Sequence, residues 1–144
     1  MRHTTNAWAL VVALIAVSAC GTSDHAGRQF QVPPPDSYSV STLQVRIDGS
    51  REPLEVATVS REFFKTAGVR PFIGRFFQDR EYQKTAPPVV VLAHAFWQQR
   101  MRGAQQVIGT ALSVNGQPMT VVGVAEPGFT GPAGSQVWMP RMLD

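Results

Sequence analysis

The chain has 144 residues, with 13 basic and 10 acidic side chains, a formal net charge of +3 and 44% hydrophobic residues. This length favours a single domain, and the hydrophobic fraction is ordinary for a globular protein. Because the basic residues are scattered singly rather than clustered, the small positive charge does not indicate a nucleic-acid-binding protein.

Residues 1–19 have the pattern of a bacterial secretory signal peptide. Arg2 provides a positive charge, and residues 7–17 form an apolar run shorter than the roughly 20 residues that a membrane-spanning helix needs. The segment ends in Val17-Ser18-Ala19-Cys20, which resembles a lipoprotein cleavage site with Cys20 as the lipidated residue. The alternative is an ordinary signal peptide followed by a chance cysteine. Cys20 is the only cysteine, so no internal disulfide can form.

Residues 20–39 are predicted to be a flexible linker. They include glycine, serine and aspartate, and Pro33-Pro34-Pro35 favours an extended polyproline II conformation. Such a tether would hold a lipid-anchored domain away from the bilayer. By resemblance to proteobacterial lipoproteins, Gly21 in the place of an aspartate favours the outer membrane over retention at the inner one.

Residues 40–144 are predicted to form a single α+β domain, with a small mixed sheet, β-hairpins and short helices packed on the sheet. Leu43, Val45 and Ile47 alternate with polar residues, which indicates a half-buried strand. Asp48-Gly49 is a turn signal, and the apolar positions after it predict the returning strand of a hairpin.

A short helix is predicted over residues 61–67. Ser60 is a candidate N-cap, and Gly68 is a candidate for the left-handed residue that ends the helix. Phe63 and Phe64 are expected to face the core, because adjacent aromatic residues beside a strand are usually buried. The alternative is a pair that stacks on a ligand.

The segment after this helix is predicted to be a loop. Pro71 favours a turn, and Gly74 allows a positive φ or a close backbone approach. Arg75 can pair with Asp79 or Glu81 across the turn. An enzymatic interpretation would take the two acids as a carboxylate pair, but acids in a polar turn are usually solvated or capping residues.

The central stretch begins with a buried strand over residues 89–92, a continuous apolar, β-branched run. A helix is predicted over residues 94–102, with Trp97 and Met101 on one side and polar residues mostly on the other. Trp97 is therefore expected to be buried between helix and sheet. Gly103 is placed to end this helix in a left-handed conformation.

Two further strands are predicted over residues 111–114 and 119–124. Asn115-Gly116 lies between them and favours a two-residue hairpin, because both residues tolerate the positive φ of a type I′ turn. Residues 128–136 are glycine-rich and predicted to be a loop. Residues 137–139 then form a closing strand that Pro140 ends.

No catalytic or metal-binding motif is visible in the sequence. His94 has no second histidine or cysteine at a spacing that zinc sites use, so it is expected to cap or pack at the start of its helix. The chain also lacks a nucleophile elbow and a phosphate-binding Walker loop. We therefore predict no enzyme activity, no cofactor and no metal.

Three fragments resemble one known family. They are VSREFFKTAGVRPFIGRFF, VVVLAHAFWQQR and VIGTALSVNGQPMTVVGVAEPGF, in this order along the chain. They resemble the periplasmic core domain of MacB-like ABC transporter permeases, in the MacB/FtsX superfamily, and most of all the long duplicated permeases common in acidobacteria. The resemblance covers roughly residues 40–140 and rests on glycines, prolines and apolar residues.

The resemblance implies a non-catalytic extracytoplasmic domain. In the family, this domain lies between the first two transmembrane helices, passes motion from a cytoplasmic ATPase and contacts substrates or partner proteins. Here a lipoprotein signal stands in place of the first transmembrane helix and no second one follows, so we expect no transport by the chain itself. The first part of the domain is also shorter than in the family, which leaves the completeness of one lobe open.

Three functions follow as alternatives. The first is a membrane-anchored interaction module on the periplasmic side of the envelope, with a protein partner in an ABC export system. The second is a truncated permease fragment without independent function, and the third is a small extracytoplasmic enzyme. The candidate partner contacts are Gln98, Arg102 and the loop over residues 128–136, with Phe129 as its apolar anchor. Alternatively, Phe129 packs beneath its own loop.

The lipid anchor is testable by changing Cys20→Ala. We expect this change to abolish labelling by a lipid precursor and to release the protein into the soluble fraction, because the acyl chains that the cysteine carries supply the membrane affinity. Metabolic labelling and membrane fractionation measure both effects. A Cys20→Ala protein that is processed normally and stays on the membrane would contradict the lipoprotein hypothesis.

Overall fold

The computed structural model describes residues 29–143. The strands are β1 (Tyr38–Ile47), β2 (Ser50–Val59), β3 (Pro71–Gly74), β4 (Val89–Leu92), β5 (Ala111–Val114), β6 (Gln117–Ala125) and β7 (Val137–Pro140), and the helices are α1 (Phe63–Ala67) and α2 (His94–Met101). In this part of the chain no helix has the length and apolar character that a membrane span requires. The predicted α+β class and single domain are confirmed.

All seven strands belong to one mixed sheet. Their order is β3-β6-β4-β7-β2-β1-β5, and β6 also pairs with β5. Six strands therefore close into a ring, and β3 lies next to β5 along the same side of β6. β7 pairs in parallel with β2 and antiparallel with β4. The last described strand along the chain thus has a partner strand on each side.

Both predicted hairpin turns are confirmed. Asp48 and Gly49 have φ of 48° and 84°, and Asn115 and Gly116 have φ of 51° and 84°. In each hairpin only these two residues separate paired strands, so that the positive φ values match the right-handed twist of the strands. The strand after the second turn is longer than predicted, since β6 runs over Gln117–Ala125.

The core contains one connected aromatic cluster. Phe63 and Phe64 of α1 are buried, as predicted, and each ring contacts several others. Trp138 of β7 is fully buried and contacts both Phe64 and Phe129. The cluster consists of Phe30, Tyr38, Phe63, Phe64, Phe76, Phe77, Tyr82, Phe129 and Trp138.

The prediction of a loop after α1 is wrong over Pro71–Gly74, because these residues form strand β3. β3 pairs antiparallel with the second half of β6, which leaves no room for a side chain at the crossing. Gly74 has a φ of 73°, and a Cβ there would collide with the backbone of Val122 and come within 3.1 Å of the Cα of Gly123. Both expected uses of this glycine, positive φ and close approach, therefore occur together.

Helix α1 begins later than predicted, at Phe63. Ser60 does not cap it with its side chain; instead its carbonyl oxygen accepts the backbone N–H of Phe63 at 3.2 Å, which closes a turn before the helix. Gly68 ends the helix with a left-handed φ of 74°, as predicted.

The described chain enters and leaves the domain at one end. Part of the segment expected to be a linker contacts the domain, since the N–H of Gln31 donates to the carbonyl of Ala67 at 3.0 Å. Arg141 donates through its side chain to the carbonyl of Asp36 at 2.8 Å and through its N–H to Val59 at 2.8 Å. The Asp48-Gly49 turn lies at the other end of the β1–β2 hairpin.

Candidate interaction surface

An exposed aromatic side chain lies where β3 meets α2. The β3–β6 register shifts between Pro71 and Ile73, and such a bulge re-aims the intervening side chain. The intervening residue, Phe72, is 51% exposed. Its ring centroid lies 4.8 Å from that of His94 in an edge contact and 5.8 Å from that of Trp97. The bulge therefore places an aromatic ring on the surface, over the first turn of α2.

Trp97 forms the floor beneath this ring. It is 4% exposed, so its predicted burial is confirmed, and its Nε1–H donates to the carbonyl oxygen of Ala104 at 2.9 Å. Met101 is partly buried against the same core. Since the indole is both packed and hydrogen-bonded, it is a rigid support for groups that bind above it.

The end of α2 positions two of the predicted contact residues. Arg102 and Gly103 both have left-handed φ, of 54° and 64°, and the N–H of Gly103 donates to the carbonyl of Trp97 at 3.2 Å. The left-handed Gly103 was predicted, and Arg102 shares its conformation. A Cβ on Gly103 would lie 2.9 Å from Oε1 of Gln98, which shows how closely that amide folds over the helix end. Gln98 and Arg102 are both exposed.

These elements enclose a groove of about 480 Å³. Its floor is aromatic and aliphatic and its rim carries amide groups; no carboxylate lines it within the part of the chain that is described. We call it the β3–α2 groove. It is lined by Phe72, Ile73, Trp97, Gln98, Gly103 and Gln105.

Glu81 is buried and forms an ion pair with Arg75, and not a pair of carboxylates. Its two carboxylate oxygens accept hydrogen bonds from Nη1 and Nη2 of Arg75, at 2.8 and 2.9 Å. Oε1 also accepts a hydrogen bond from the backbone N–H of Gln78 at 2.8 Å. The pairing of Arg75 with one of the two acids is confirmed, with Glu81 as the partner. The bidentate bond to Arg75 holds the pKa of Glu81 below its ordinary value, because it stabilises the charged carboxylate.

His94 lies at the first position of α2, as expected, and its ring packs edge-on against Phe72 and Trp97. Within residues 29–143 no group of three or more histidine, cysteine, aspartate or glutamate side chains could hold a metal ion.

Phe129 is buried, which corrects its expected place on the surface. It is 5% exposed and contacts Phe30, Phe63 and Trp138. The alternative, that it packs beneath its own loop, describes its position. Cys20 and the segment assigned to the signal peptide lie outside the described residues, so the lipid anchor stays a prediction.

The sequence matches a known family, the MacB-like periplasmic core domain, over residues 11–144. The chain belongs to this family. The match covers the whole described domain and begins within the segment that we assign to a signal peptide. A comparison with curated proteins finds no match.

Three solved structures have a similar fold. The MacB-like domain is similar to the extracellular domain of the noncanonic ABC-type transporter YknZ from Gram-positive bacteria, with a TM-score of 0.60 and 16% identity over 73% of this chain and 52% of that one. It is similar to the periplasmic region of MacB from Actinobacillus actinomycetemcomitans, with a TM-score of 0.60 and 15% identity over 73% and 46% of the two chains.

A domain of a putative permease protein from Porphyromonas gingivalis is also similar, with a TM-score of 0.51 and 13% identity over 72% of this chain and 44% of that one. The MacB-like domain thus spans about half the length of the solved domains that it matches. At these identities the likeness concerns the fold.

The Arg75–Glu81 pair predicts a pH-dependent stability. Glu81→Gln should lower the free energy of unfolding near neutral pH by about 1–2 kcal/mol. We expect a value at the low end for hydrogen bonds between charged groups, because Arg75 is 40% exposed and solvent weakens the interaction. Since the folded-state pKa of Glu81 is depressed, the ion pair stabilises the domain above the unfolded-state pKa, and this stability is lost as the pH falls through the folded-state pKa.

Urea unfolding of the wild type and Glu81→Gln across the acid range measures this difference. Asp79→Asn is the matched control, because it removes an exposed acid from the same turn. We expect the difference in unfolding free energy between wild type and Glu81→Gln to disappear in acid. Asp79→Asn should change the unfolding free energy less than Glu81→Gln does. A difference in unfolding free energy that is constant with pH, or an equal loss of stability in Asp79→Asn, would show that the Arg75–Glu81 ion pair does not cause the pH dependence.

Proposed function

We propose that this MacB-like domain is a non-catalytic, membrane-anchored interaction module that faces the periplasm and binds a protein partner of an ABC export system. Its family consists of periplasmic core domains, and the solved relatives come from ABC-type transporters or permeases. The observation that carries the binding role is the exposed Phe72 ring over a rigid Trp97 floor.

The β3–α2 groove has the features of a protein-binding site. Aromatic residues over well-packed pockets are the usual anchors of protein interfaces. Phe72 supplies such a ring, and the amides of Gln98 and Gln105 supply hydrogen bonds at the rim. The proposal therefore keeps Gln98 and Arg102 as partner contacts and replaces Phe129 with Phe72 as the apolar anchor.

The edge position of β3 adds a second mode of contact. Within the described residues, β3 pairs with β6 alone, so its other side presents unpaired backbone groups. An extended segment of a partner can pair with such an edge and place a side chain in the adjoining groove. This geometry fits a partner that contributes an extended strand with an apolar side chain opposite Phe72.

Anchoring through Cys20 supports the same role. A lipid anchor and the segment up to Gln29 would keep the domain at the membrane surface without a requirement for its own transmembrane helix. The proposed localisation is the periplasmic side of the envelope, with the outer membrane favoured by Gly21.

A photo-crosslinking amino acid at position 98 of the full chain, in its own membranes, tests this function. Mass spectrometry of the crosslinked products should identify a component of an ABC export system. Position 143 is the control site, because Leu143 is 46% exposed and lies outside the groove. Crosslinks of equal yield at both positions, or none at position 98, would contradict the proposal, and the latter favours the fragment without independent function.

Phe72→Ser should separate binding from folding. We expect a loss of about 2 kcal/mol or more in partner binding, roughly 30-fold in affinity, since truncation of an aromatic anchor costs this much. The unfolding temperature should change little, because half of the Phe72 side chain is in solvent. Binding assays and thermal unfolding measure the two effects, with Leu143→Ser as control. Equal losses of binding and stability would make Phe72 a structural residue.

A further inference from the structure

A polar concavity lies on the outer face of strands β1, β2 and β5. It has a volume of about 470 Å³ and shares no lining residue with the β3–α2 groove. We call it the β1–β5 concavity. It is lined by Gln44, Arg46, Arg51, Ser113, Asn115 and Gly116.

Two arginines face each other across the hairpin in this concavity. Arg46 and Arg51 are directly opposite in the β1–β2 register, and Arg46 is opposite Ser113 in the β1–β5 register. Side chains directly opposite in antiparallel strands project on the same face, and like charges in this arrangement destabilise the sheet. The row Arg51–Arg46–Ser113 therefore places two cations side by side at a cost in stability.

Within residues 29–143 the nearby carboxylates are directed elsewhere: Asp48, in the turn between the two arginines, lines a separate cavity. Glu55 lies on the same face, but its carboxylate accepts a hydrogen bond from the hydroxyl of Thr42 at 2.5 Å. Thr42 is four residues from Arg46 along β1, which separates their backbones by roughly 13 Å. Glu52 pairs instead with Arg100. Neither arginine of the concavity forms an ion pair in the described part of the structure.

The remaining lining groups are also donors. Asn115 is fixed by the backbone of Gln44, whose N–H donates to Oδ1 of Asn115 at 3.0 Å and whose carbonyl accepts the N–H of Asn115 at 2.7 Å. With its Oδ1 engaged, Asn115 presents its amide NH₂. Ser113 adds a hydroxyl, so the concavity offers converging donors around two positive charges.

We propose that the β1–β5 concavity binds a phosphate group. A dianionic phosphate neutralises both guanidinium groups at once and has oxygens for the neighbouring amide and hydroxyl donors, whereas a single carboxylate balances only one arginine. The planar guanidinium forms bidentate bonds with phosphate, which suits the two arginines of the lining.

The position favours a soluble phosphate compound over a lipid headgroup. Arg46 lies eight residues from Tyr38 along β1, roughly 26 Å, and Tyr38 is close to the end where the described chain enters and leaves. A membrane attached through that end would therefore lie far from the concavity.

Calorimetric titration of the full chain in detergent with inorganic phosphate, at constant ionic strength, tests this site. We expect saturable binding that Arg46→Gln and Arg51→Gln each weaken about tenfold or more. Arg70→Gln, which removes an exposed arginine that lines neither the concavity nor the groove, should bind phosphate as the wild type does. In phosphate-free buffer, Arg51→Gln should also raise the unfolding temperature, because it relieves the repulsion with Arg46.

Two further arms identify the source of the anion. Vesicles of phosphatidylcholine with phosphatidic acid present phosphate on a membrane. If the wild type and Arg46→Gln bind these vesicles equally, the site binds soluble phosphate. If Arg46→Gln binds them more weakly, the site binds a lipid headgroup. Phosphate binding that is absent, or unchanged in both arginine variants, would overturn the proposal. Arg46-dependent binding of polyglutamate without phosphate binding would overturn it in favour of an acidic protein segment.

Discussion

β7, a strand of four residues near the end of the chain, joins the two halves of the sheet. It pairs in parallel with β2 and antiparallel with β4, so the β1–β2 hairpin meets β4 and β6 through it. Without β7, the hairpin would be attached only through β5, which pairs with β1 over two residues. Bringing distant strands together costs chain entropy, and β7 offsets this cost by burying Val137 and Trp138 completely between the halves.

The same strand supports both candidate surfaces. The residue before β7 is Gln136, whose backbone N–H donates to the backbone carbonyl of Glu55 in β2 at 2.9 Å. The carbonyl of Gln136 accepts the N–H of Ala93, the residue before α2, at 3.0 Å. One residue therefore links the hairpin that carries the β1–β5 concavity to the helix that lines the β3–α2 groove. Trp138 extends this support into the aromatic core, and Gly131 fits against it so closely that an added Cβ would lie 2.6 Å from Nε1 of Trp138.

Local turn chemistry was predictable from the sequence, and the pairing of distant strands was not. Asp48-Gly49 and Asn115-Gly116 specify their hairpins because their backbone conformations are properties of those residues. The short apolar run that forms β7 does not indicate that it lies between β2 and β4, because strand partners are determined by packing across the whole domain. Phe72 lies between two turn-forming residues, and its exposure depends on a bulge against β6. Phe129 was misplaced because two of the rings that cover it, Phe30 and Phe63, are distant in sequence.

Native-state hydrogen exchange of the backbone amides tests most directly whether β7 holds the two halves together. If it does, the hydrogen-bonded amides of β7 exchange only through global unfolding, with the same free energy as those of β2 and β4. The three strands should then lose protection together as denaturant is added. Exchange of β7 by local opening at a lower free energy, while β2 and β4 stay protected, would contradict this account, because the halves would then be joined without it.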